Sequence, residues 1–438
     1  MSDPGLREWS AAPRWAEPGR TAPGATAVPH LTLVPPAAPV ADANRFMPGI
    51  EALRGLATIA VVICHMWALT TASQFPGWQI VVGVGQWAVN VFFLLSGFLL
   101  VAYFWTSGPR PSLREFYLRR FLRIAPAYWL SVAVLYLFLA DRSIVFSEQG
   151  LRQAVANFTF TQWLFPTTAS SLNVNGVYWT LSLEMVFYAL LPAFAWLIAR
   201  RPVLSGIGLI GLSLGYRMYL AVDGVALENV FFKSLPDAPE GFMRLFLARQ
   251  FPGVLSILAL GMLLRWWVDH RSPASLQGLS LGWLLLLLAP SLLLLTGVLL
   301  GNDHRQWAIF TGFDFWLSLL VVPAVAYASA NLLGAPTHSL RALMWLGRRG
   351  YGIYLWHFPI ILLAFDRGAM VRPADTSYFW VRVTAAVAAT VVLGALSFRV
   401  VEEPARRLGK RLGKRRAGAV GAPPPPVLAP VAAAVPSG

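Results

Sequence analysis

The amino-acid sequence predicts an all-α polytopic membrane protein with about ten transmembrane helices and both termini in the cytosol. The first observation behind this is composition. The mean hydropathy of the 438-residue chain is +0.59, and 57% of its residues are hydrophobic. Only 13% are charged, against about 25% in soluble domains, which argues against a soluble enzyme. The 18 Trp and 27 Phe residues argue against a disordered chain.

The second observation is a series of apolar runs. A bilayer core of about 30 Å is crossed by roughly 20 helical residues. About ten runs of suitable length are present. They cover residues 53–70, 86–105, 121–140, 180–199, 203–222, 251–268, 281–300, 312–333, 351–365 and 378–398.

The third observation is where the basic residues lie. The net charge is +15, and the Lys and Arg residues fall predominantly in one set of alternating loops and in the C-terminal segment. Cytosolic loops carry such an excess, so both termini are predicted to be cytosolic, which requires an even number of spans. Topology therefore accounts for most of the basic excess, and no nucleic-acid partner is needed.

Both ends of the chain differ in composition from the apolar middle. Residues 1–46 contain eight prolines among Ala, Gly and Thr, which is typical of a disordered arm and not of a signal peptide. Residues 409–438 are first basic and then rich in Pro and Ala, which predicts a disordered tail. The transmembrane domain is therefore predicted to cover residues 47–408, and its first apolar run must direct insertion into the membrane.

The first predicted span contains two ionisable residues, Arg54 and His65. Eleven helical residues turn through about 1100°, so both side chains lie on one helix face, roughly 16 Å apart along the axis. Arg54 is then at the cytosolic mouth and His65 near mid-membrane. Charged groups at this depth are costly, which favours a functional role. The alternative is an arginine that reaches to the membrane surface and a histidine bonded to a neighbouring helix.

This spacing suits a long substrate with an anionic end and a reactive end. A guanidinium binds phosphate oxygens and keeps its charge. An imidazole titrates near neutral pH and can remove a proton from a hydroxyl. Acyl-CoA has such a shape, with phosphates at one end and a thioester beyond a flexible arm.

A second basic cluster, Arg119, Arg120 and Arg123, begins the third predicted span. It either holds the loop in the cytosol or forms a phosphate clamp beside Arg54. Glu184 lies four residues into an apolar helix and needs a partner there. It either supports a catalytic imidazole, as a carboxylate does in a catalytic dyad, or pairs with an arginine for structure.

Other polar residues in the spans favour structural roles. Cys64 is rotated by about 100° from His65, so we predict a packing residue and not a Cys–His nucleophile. His357 precedes a proline, and we predict a histidine hydrogen-bonded at a helix kink. Ser96 and Gly97 are predicted to allow close helix approach, with Ser96 as an acyl-carrying nucleophile the less favoured alternative. No metal-ligand spacing is present.

Together, the motifs resemble those of the acyltransferase 3 family of integral-membrane O-acyltransferases. They are, in order, Arg54-x10-His65, FFLLSGFLL at residues 92–100, RRFLRIAP at 119–126, the 179–192 stretch with Glu184, YGIYLWHFPI at 351–360, and VEEP at 401–404. Each motif is weak alone, and the ordered set over residues 46–408 is specific.

The resemblance implies transfer of an acyl group, often acetyl, from cytosolic acyl-CoA to a hydroxyl of a sugar, glycan or glycosylated metabolite at the plasma (inner) membrane. His65 and Glu184 would be catalytic, Arg54, Arg119, Arg120 and Arg123 would bind the donor, and no metal is expected. A transporter or flippase for an acylated sugar or lipid is the alternative function.

Two departures from the family pattern stand out. Glu51 and Ala52 occupy positions where the family often has Asp-Gly. Some members continue into an extracytoplasmic hydrolase-like domain, whereas only a short tail follows Pro404 here. We therefore expect the chain to complete the transfer itself or to pass the acyl group to an extracytoplasmic partner protein.

Overall fold

The computed structural model describes residues 47–70, 78–106, 112–138, 142–170, 175–232, 246–271, 313–331, 337–365 and 376–420. These residues form helices with short connections and no β-strand among them, which confirms the predicted all-α fold for this part of the chain. In chain order the helices are α1 (Pro48–Thr70), α2 (Trp78–Thr106), α3 (Leu113–Phe138), α4 (Arg142–Val145), α5 (Glu148–Phe158), α6 (Pro166–Ser170), α7 (Trp179–Arg200), α8 (Pro202–Phe232), α9 (Phe251–Asp269), α10 (Phe313–Asn331), α11 (His338–Ala364), α12 (Thr376–Ser397) and, after a π-helical turn (Phe398–Glu402), α13 (Glu403–Val420).

Seven segments of the described chain are long and apolar enough to cross a membrane. The predicted span at 281–300 lies outside the described residues, and those at 312–333 and 351–365 correspond to α10 and α11, which are not among the seven. The count of ten spans and the cytosolic position of both termini stay predictions. The seven segments are Pro48–Trp67, Trp87–Phe104, Leu113–Phe138, Trp179–Arg200, Pro202–Leu220, Phe246–Asp269 and Trp380–Leu412.

The backbones of α1 and α11 touch at two glycines. A Cβ atom at Gly55 would overlap the carbonyl oxygen of Leu343, and one at Gly347 would overlap the carbonyl oxygen of Glu51. Because only glycine leaves room for a carbonyl at these points, the two helices pack backbone to backbone. This contact fixes the position of the YGIYLWHFPI segment of α11 relative to α1.

A second close crossing joins α2 and α9. A Cβ at Gly97 would overlap the carbonyl oxygen of Leu258, and one at Gly261 would overlap that of Leu94. The prediction that Gly97 allows close helix approach is therefore confirmed. Cys64 is buried, with its sulfur in the space that a side chain at residue 85 would need, as expected of a packing residue.

The start of α7 is anchored to α11 beside a proline. Pro359 has no N–H, so the carbonyl of Leu355 one turn earlier loses its helical partner. The buried side chain of Asn175 donates from Nδ2 to this oxygen at 3.0 Å and accepts from the N–H of Val177 at 3.3 Å. One amide thus satisfies the freed carbonyl and also fixes the turn that enters α7.

The C-terminal part of the described chain differs from the predicted tail. Residues 409–420, which were predicted to be disordered, continue α13 up to Val420. Gly409 of this helix lies against Leu122 of α3. The preceding π-helical turn ends in Glu402, whose side chain is only 4% exposed, so the VEEP motif places a carboxylate inside the helical bundle.

Candidate active site

A cavity of about 230 Å³ lies among α1, α2, α3, α7 and α11. Its polar wall contains three of the predicted donor-binding arginines together with Glu184. The polar lining residues are Arg54, Ser96, Arg120, Arg123, Thr180, Glu184, Tyr188, Tyr351 and Tyr354, and the apolar ones are Val89, Phe92, Phe93, Leu95, Leu99, Leu100, Ile124 and Leu181.

Arg54 reaches the cavity from α1 and is held by an acidic neighbour. Its Nη1 donates to Oε1 of Glu51 at 3.2 Å, and both side chains are largely buried, with 17% and 21% of their surface exposed. The departure from the family pattern at Glu51 therefore has a visible role, because its carboxylate fixes the guanidinium and offsets its charge.

The Arg-rich cluster of α3 is divided. Arg120 and Arg123 line the cavity, whereas Arg119 forms an ion pair with Glu115 one turn earlier and is not among the lining residues. The Nε of Arg120 is buried with no hydrogen-bond partner in the described structure. A buried donor of this kind is costly unless it is paired, and the Nε of Arg119 is buried without a hydrogen-bond partner as well.

Glu184 lies among these arginines. Its carboxylate accepts a hydrogen bond from Oη of Tyr188, one turn later on α7, and interacts electrostatically with Arg54, Arg120 and Arg123. A carboxylate inside a membrane protein needs compensating charge, and the arginines provide it. The structure thus places Glu184 in the arginine-lined cavity, whose lining residues do not include His65.

A further carboxylate belongs to the same electrostatic group. Glu402 accepts a hydrogen bond from Oγ of Ser397 at 3.4 Å and interacts electrostatically with Arg54, Arg123 and Arg406. Sequence reasoning did not assign it a role, although an acidic residue at the end of an apolar run was a usable signal.

The half-buried imidazole of His65 contacts a second histidine. Its Nδ1 lies 3.0 Å from the carbonyl oxygen of Val61 and 3.2 Å from Nε2 of His357. His357 is fully buried, and its own Nδ1 lies 2.8 Å from the carbonyl oxygen of Tyr354. His357 does bond to its own helix near Pro359, as predicted, and it also faces His65, which was not predicted.

Tyr354 connects the cavity to the histidine pair. It lines the cavity, and its ring centroid is 5.7 Å from that of His357. Its Oη donates to the carbonyl oxygen of Val177 at 2.6 Å and lies 2.7 Å from Oγ1 of Thr180. His65 is not among the cavity-lining residues, so Tyr354 stands between the arginines and the imidazoles.

These features can be compared with known proteins. The acyltransferase domain that defines acyltransferase 3 matches residues 47–399. The chain belongs to the acyltransferase 3 family. The match begins one residue before α1 and ends within the π-helical turn, so it includes each helix that lines the cavity. As a family member with seven candidate spans among its described residues, the chain is a multi-pass membrane protein.

The chain is similar to several named bacterial proteins. It is 26% identical over 395 residues to peptidoglycan O-acetyltransferase OatA of Listeria monocytogenes. The alignment covers 84% of this chain and 57% of that protein. It is 24% identical over 394 residues to the putative peptidoglycan O-acetyltransferase YrhL of Bacillus subtilis, with 85% and 57% covered. It is 24% identical over 382 residues to O-acetyltransferase OatA of Staphylococcus aureus, with 83% and 58% covered.

The chain spans less than two thirds of the length of these relatives. No solved structure matches it. In the part of the chain that the structure describes, no three His, Cys, Asp or Glu side chains gather as a metal site.

The tyrosines of the candidate site are residues that sequence reasoning missed. Tyr351 donates from Oη to the carbonyl oxygen of Ile124 at 3.0 Å. Tyr351, Tyr354 and His357 follow one another at intervals of three on α11. This spacing places them on neighbouring positions of one helix side, a signal that was available in YGIYLWHFPI.

Proposed function

We propose that this acyltransferase is a membrane O-acyltransferase that moves an acyl group, acetyl in the first instance, from cytosolic acyl-CoA to a hydroxyl of a cell-envelope glycan. The observation that carries the proposal is one arrangement: a cavity with three arginines in its wall adjoins a histidine pair through Tyr354. The family membership supplies the class of reaction.

The arginines are suited to hold the donor. Arg54, Arg120 and Arg123 present guanidinium donors to the cavity, and guanidinium groups bind phosphate oxygens through paired hydrogen bonds. The cavity volume of about 230 Å³ is below the range of about 300–1,000 Å³ that is typical of ligand pockets. It therefore fits a part of acyl-CoA and not the whole molecule, and the apolar wall on α2 suits the acyl-carrying arm.

The histidine supplies acid–base chemistry. Arg54 and His65 lie on the unbroken helix α1, so they are about 16 Å apart along its axis. The acceptor hydroxyl oxygen attacks the thioester carbonyl carbon, so that a C–O bond forms and the C–S bond breaks. His65 takes the hydroxyl proton and gives it to the departing sulfur, which leaves as the CoA thiol.

Of the two parts that the sequence left open for Glu184, the proposal takes the one beside the arginines. Because its carboxylate bonds to Tyr188 among the arginines, it limits the charge that the cavity places inside the membrane and orients the guanidinium groups. Its contribution to the reaction is donor binding and not support of His65.

The acceptor is proposed from the relatives. Those of Listeria monocytogenes and Bacillus subtilis carry names that refer to peptidoglycan, which favours an envelope glycan at the inner membrane over a small glycosylated metabolite.

The test uses the purified full chain in lipid nanodiscs with acetyl-CoA and peptidoglycan fragments. Release of the free CoA thiol is measured together with O-acetylated fragments by mass spectrometry. The proposal expects both products, in equal amounts. A transporter or flippase would move its cargo without releasing CoA, so the absence of thiol release in folded protein would favour that alternative.

A further inference from the structure

The geometry points to His357 as a positioning residue: together with the carbonyl oxygen of Val61, its Nε2 accepts from Nδ1–H of His65, which orients the His65 ring and leaves Nε2 of His65 as the nitrogen that takes the substrate proton. The inference rests on the proposed function only for the reaction in which Nε2 of His65 takes the proton. The tautomer itself is a property of the protein without substrate.

The protonation of His357 follows from its surroundings. Its Nδ1 lies 2.8 Å from the carbonyl oxygen of Tyr354, and a carbonyl oxygen can only accept a hydrogen bond. Nδ1 of His357 therefore carries the hydrogen. A neutral imidazole has one donor and one acceptor nitrogen, so Nε2 of His357 is the acceptor.

The same reasoning then applies to His65. Its Nδ1 faces two acceptors, Nε2 of His357 at 3.2 Å and the carbonyl oxygen of Val61 at 3.0 Å. A nitrogen between two acceptors is satisfied only if it carries a hydrogen. The Nδ1–H form leaves Nε2 of His65 with its lone pair, which is the form that a general base needs.

A histidine suits this position better than a carboxylate would. An acceptor at Nδ1 that fixes the ring and stabilises the positive charge of the protonated imidazole is the usual partner of a catalytic histidine. A carboxylate would place a further charge inside the membrane, at a cost of a few kcal/mol. The neutral Nε2 of fully buried His357 offers the same lone pair without that charge.

The surroundings hold the pair in place. His65 packs edge-on against Phe358 with ring centroids 5.7 Å apart, and the glycine crossing of Gly55 and Gly347 fixes α1 against α11. Arg249 and His357 are the ionisable groups that interact electrostatically with His65. The relation between the two imidazoles is therefore set by backbone packing and not by flexible side chains.

The first measurement reads the tautomer directly. The full chain, labelled with ¹⁵N-histidine and reconstituted in lipid nanodiscs, is studied by solid-state NMR, with the His65 signals assigned by their loss in His65→Asn. We expect His65 to carry its hydrogen on Nδ1 and to show a coupling to the Nε2 of His357. A hydrogen on Nε2 of His65 would overturn the inference, whatever the reaction, because no donor or acceptor substrate is present.

The second measurement uses two variants of the partner. His357→Leu removes the acceptor, whereas His357→Gln keeps an oxygen that can accept from Nδ1–H. In His357→Leu the carbonyl of Val61 still holds the hydrogen on Nδ1 of His65, but the ring loses its second acceptor. We therefore expect His357→Leu to shift the His65 signals and to lower kcat about 100-fold with an unchanged KM for acetyl-CoA. We expect His357→Gln to restore most of kcat and most of the original His65 spectrum.

Equal effects of the two substitutions, or a His65 spectrum that does not change in His357→Leu, would contradict the inference. The unchanged signals of exposed His270 in each variant show that the protein is folded. If the unmodified chain shows the expected tautomer but carries out no acyl transfer, the result contradicts the proposed function alone.

Discussion

Gly55 and Gly347 face each other so closely that neither position has room for a Cβ atom. Through this contact α1, which carries Arg54 and His65, meets α11, which carries Tyr354 and His357. Both the cavity wall and the histidine pair draw residues from these two helices, so the crossing is a structural requirement of the whole site.

Gly347→Ala tests that requirement. A methyl group here collides with the carbonyl of Glu51, so we expect a loss of about 1–3 kcal/mol of stability and a large fall in acyl transfer. Thermal unfolding in detergent and CoA release are the measurements. Gly208→Ala is the matched control, because nothing lies within 4 Å of its added Cβ; an equal effect of both substitutions would argue against the crossing.

Arg123→Ala and Arg120→Ala test donor binding. Loss of a charge-assisted hydrogen bond costs about 1.5–3 kcal/mol, so each is expected to raise the KM for acetyl-CoA by about 10- to 100-fold. Arg119→Ala is the control from the same cluster, since Arg119 pairs with Glu115 away from the cavity lining. If Arg119→Ala raises the KM as much as Arg120→Ala and Arg123→Ala do, the proposed donor binding by the cavity arginines is wrong.

Glu184→Gln distinguishes the two roles that a carboxylate can have in this site. If Glu184 acts on the neighbouring arginines, its replacement is expected to leave kcat within about 10-fold of the original value and to change the KM for acetyl-CoA. As a partner of His65 it would lower kcat by about 10⁴-fold. Steady-state kinetics of Glu184→Gln beside Tyr188→Phe separates these outcomes, and a fall in kcat of the larger size would restore the catalytic role.

Asn175→Ala tests the anchor between α7 and α11. It leaves the buried carbonyl of Leu355 without its 3.0 Å donor, at a cost of about 1–3 kcal/mol. In the double variant Asn175→Ala/Pro359→Ala the new N–H of residue 359 is expected to satisfy that carbonyl and recover part of the loss. Unfolding midpoints of the single and double variants give the comparison, and strictly additive losses would contradict this interpretation.

The sequence predicted well what depends on the cost of charge in a membrane. Arg54, Arg120 and Arg123 were found because ionisable residues near apolar runs are rare, and all three line one cavity. The all-α fold and the close approach at Gly97 follow from residue composition and size in the same way.

Distances between helices were not predictable, because one sequence carries no measure of them. Glu184 was therefore left with two possible partners, His65 or an arginine, and the fold brings it to the arginines and to Tyr188. His357 was interpreted from its neighbour Pro359, and its contact with His65, 292 residues away in sequence, depends on how α1 crosses α11. Arg119 forms an ion pair with Glu115 and does not line the cavity. The sequence could not show this, because it does not give the orientation of α3 about its axis.

The central claim is that His65 moves the proton in an acyl transfer. The direct test compares His65→Ala with His270→Ala, an exposed histidine at the end of α9, in nanodiscs at equal protein amounts with ¹⁴C-acetyl-CoA and peptidoglycan fragments. The account predicts that His65→Ala inserts normally, retains acetyl-CoA binding and loses label transfer by at least about 100-fold, while His270→Ala keeps full transfer. Full label transfer by His65→Ala would contradict it.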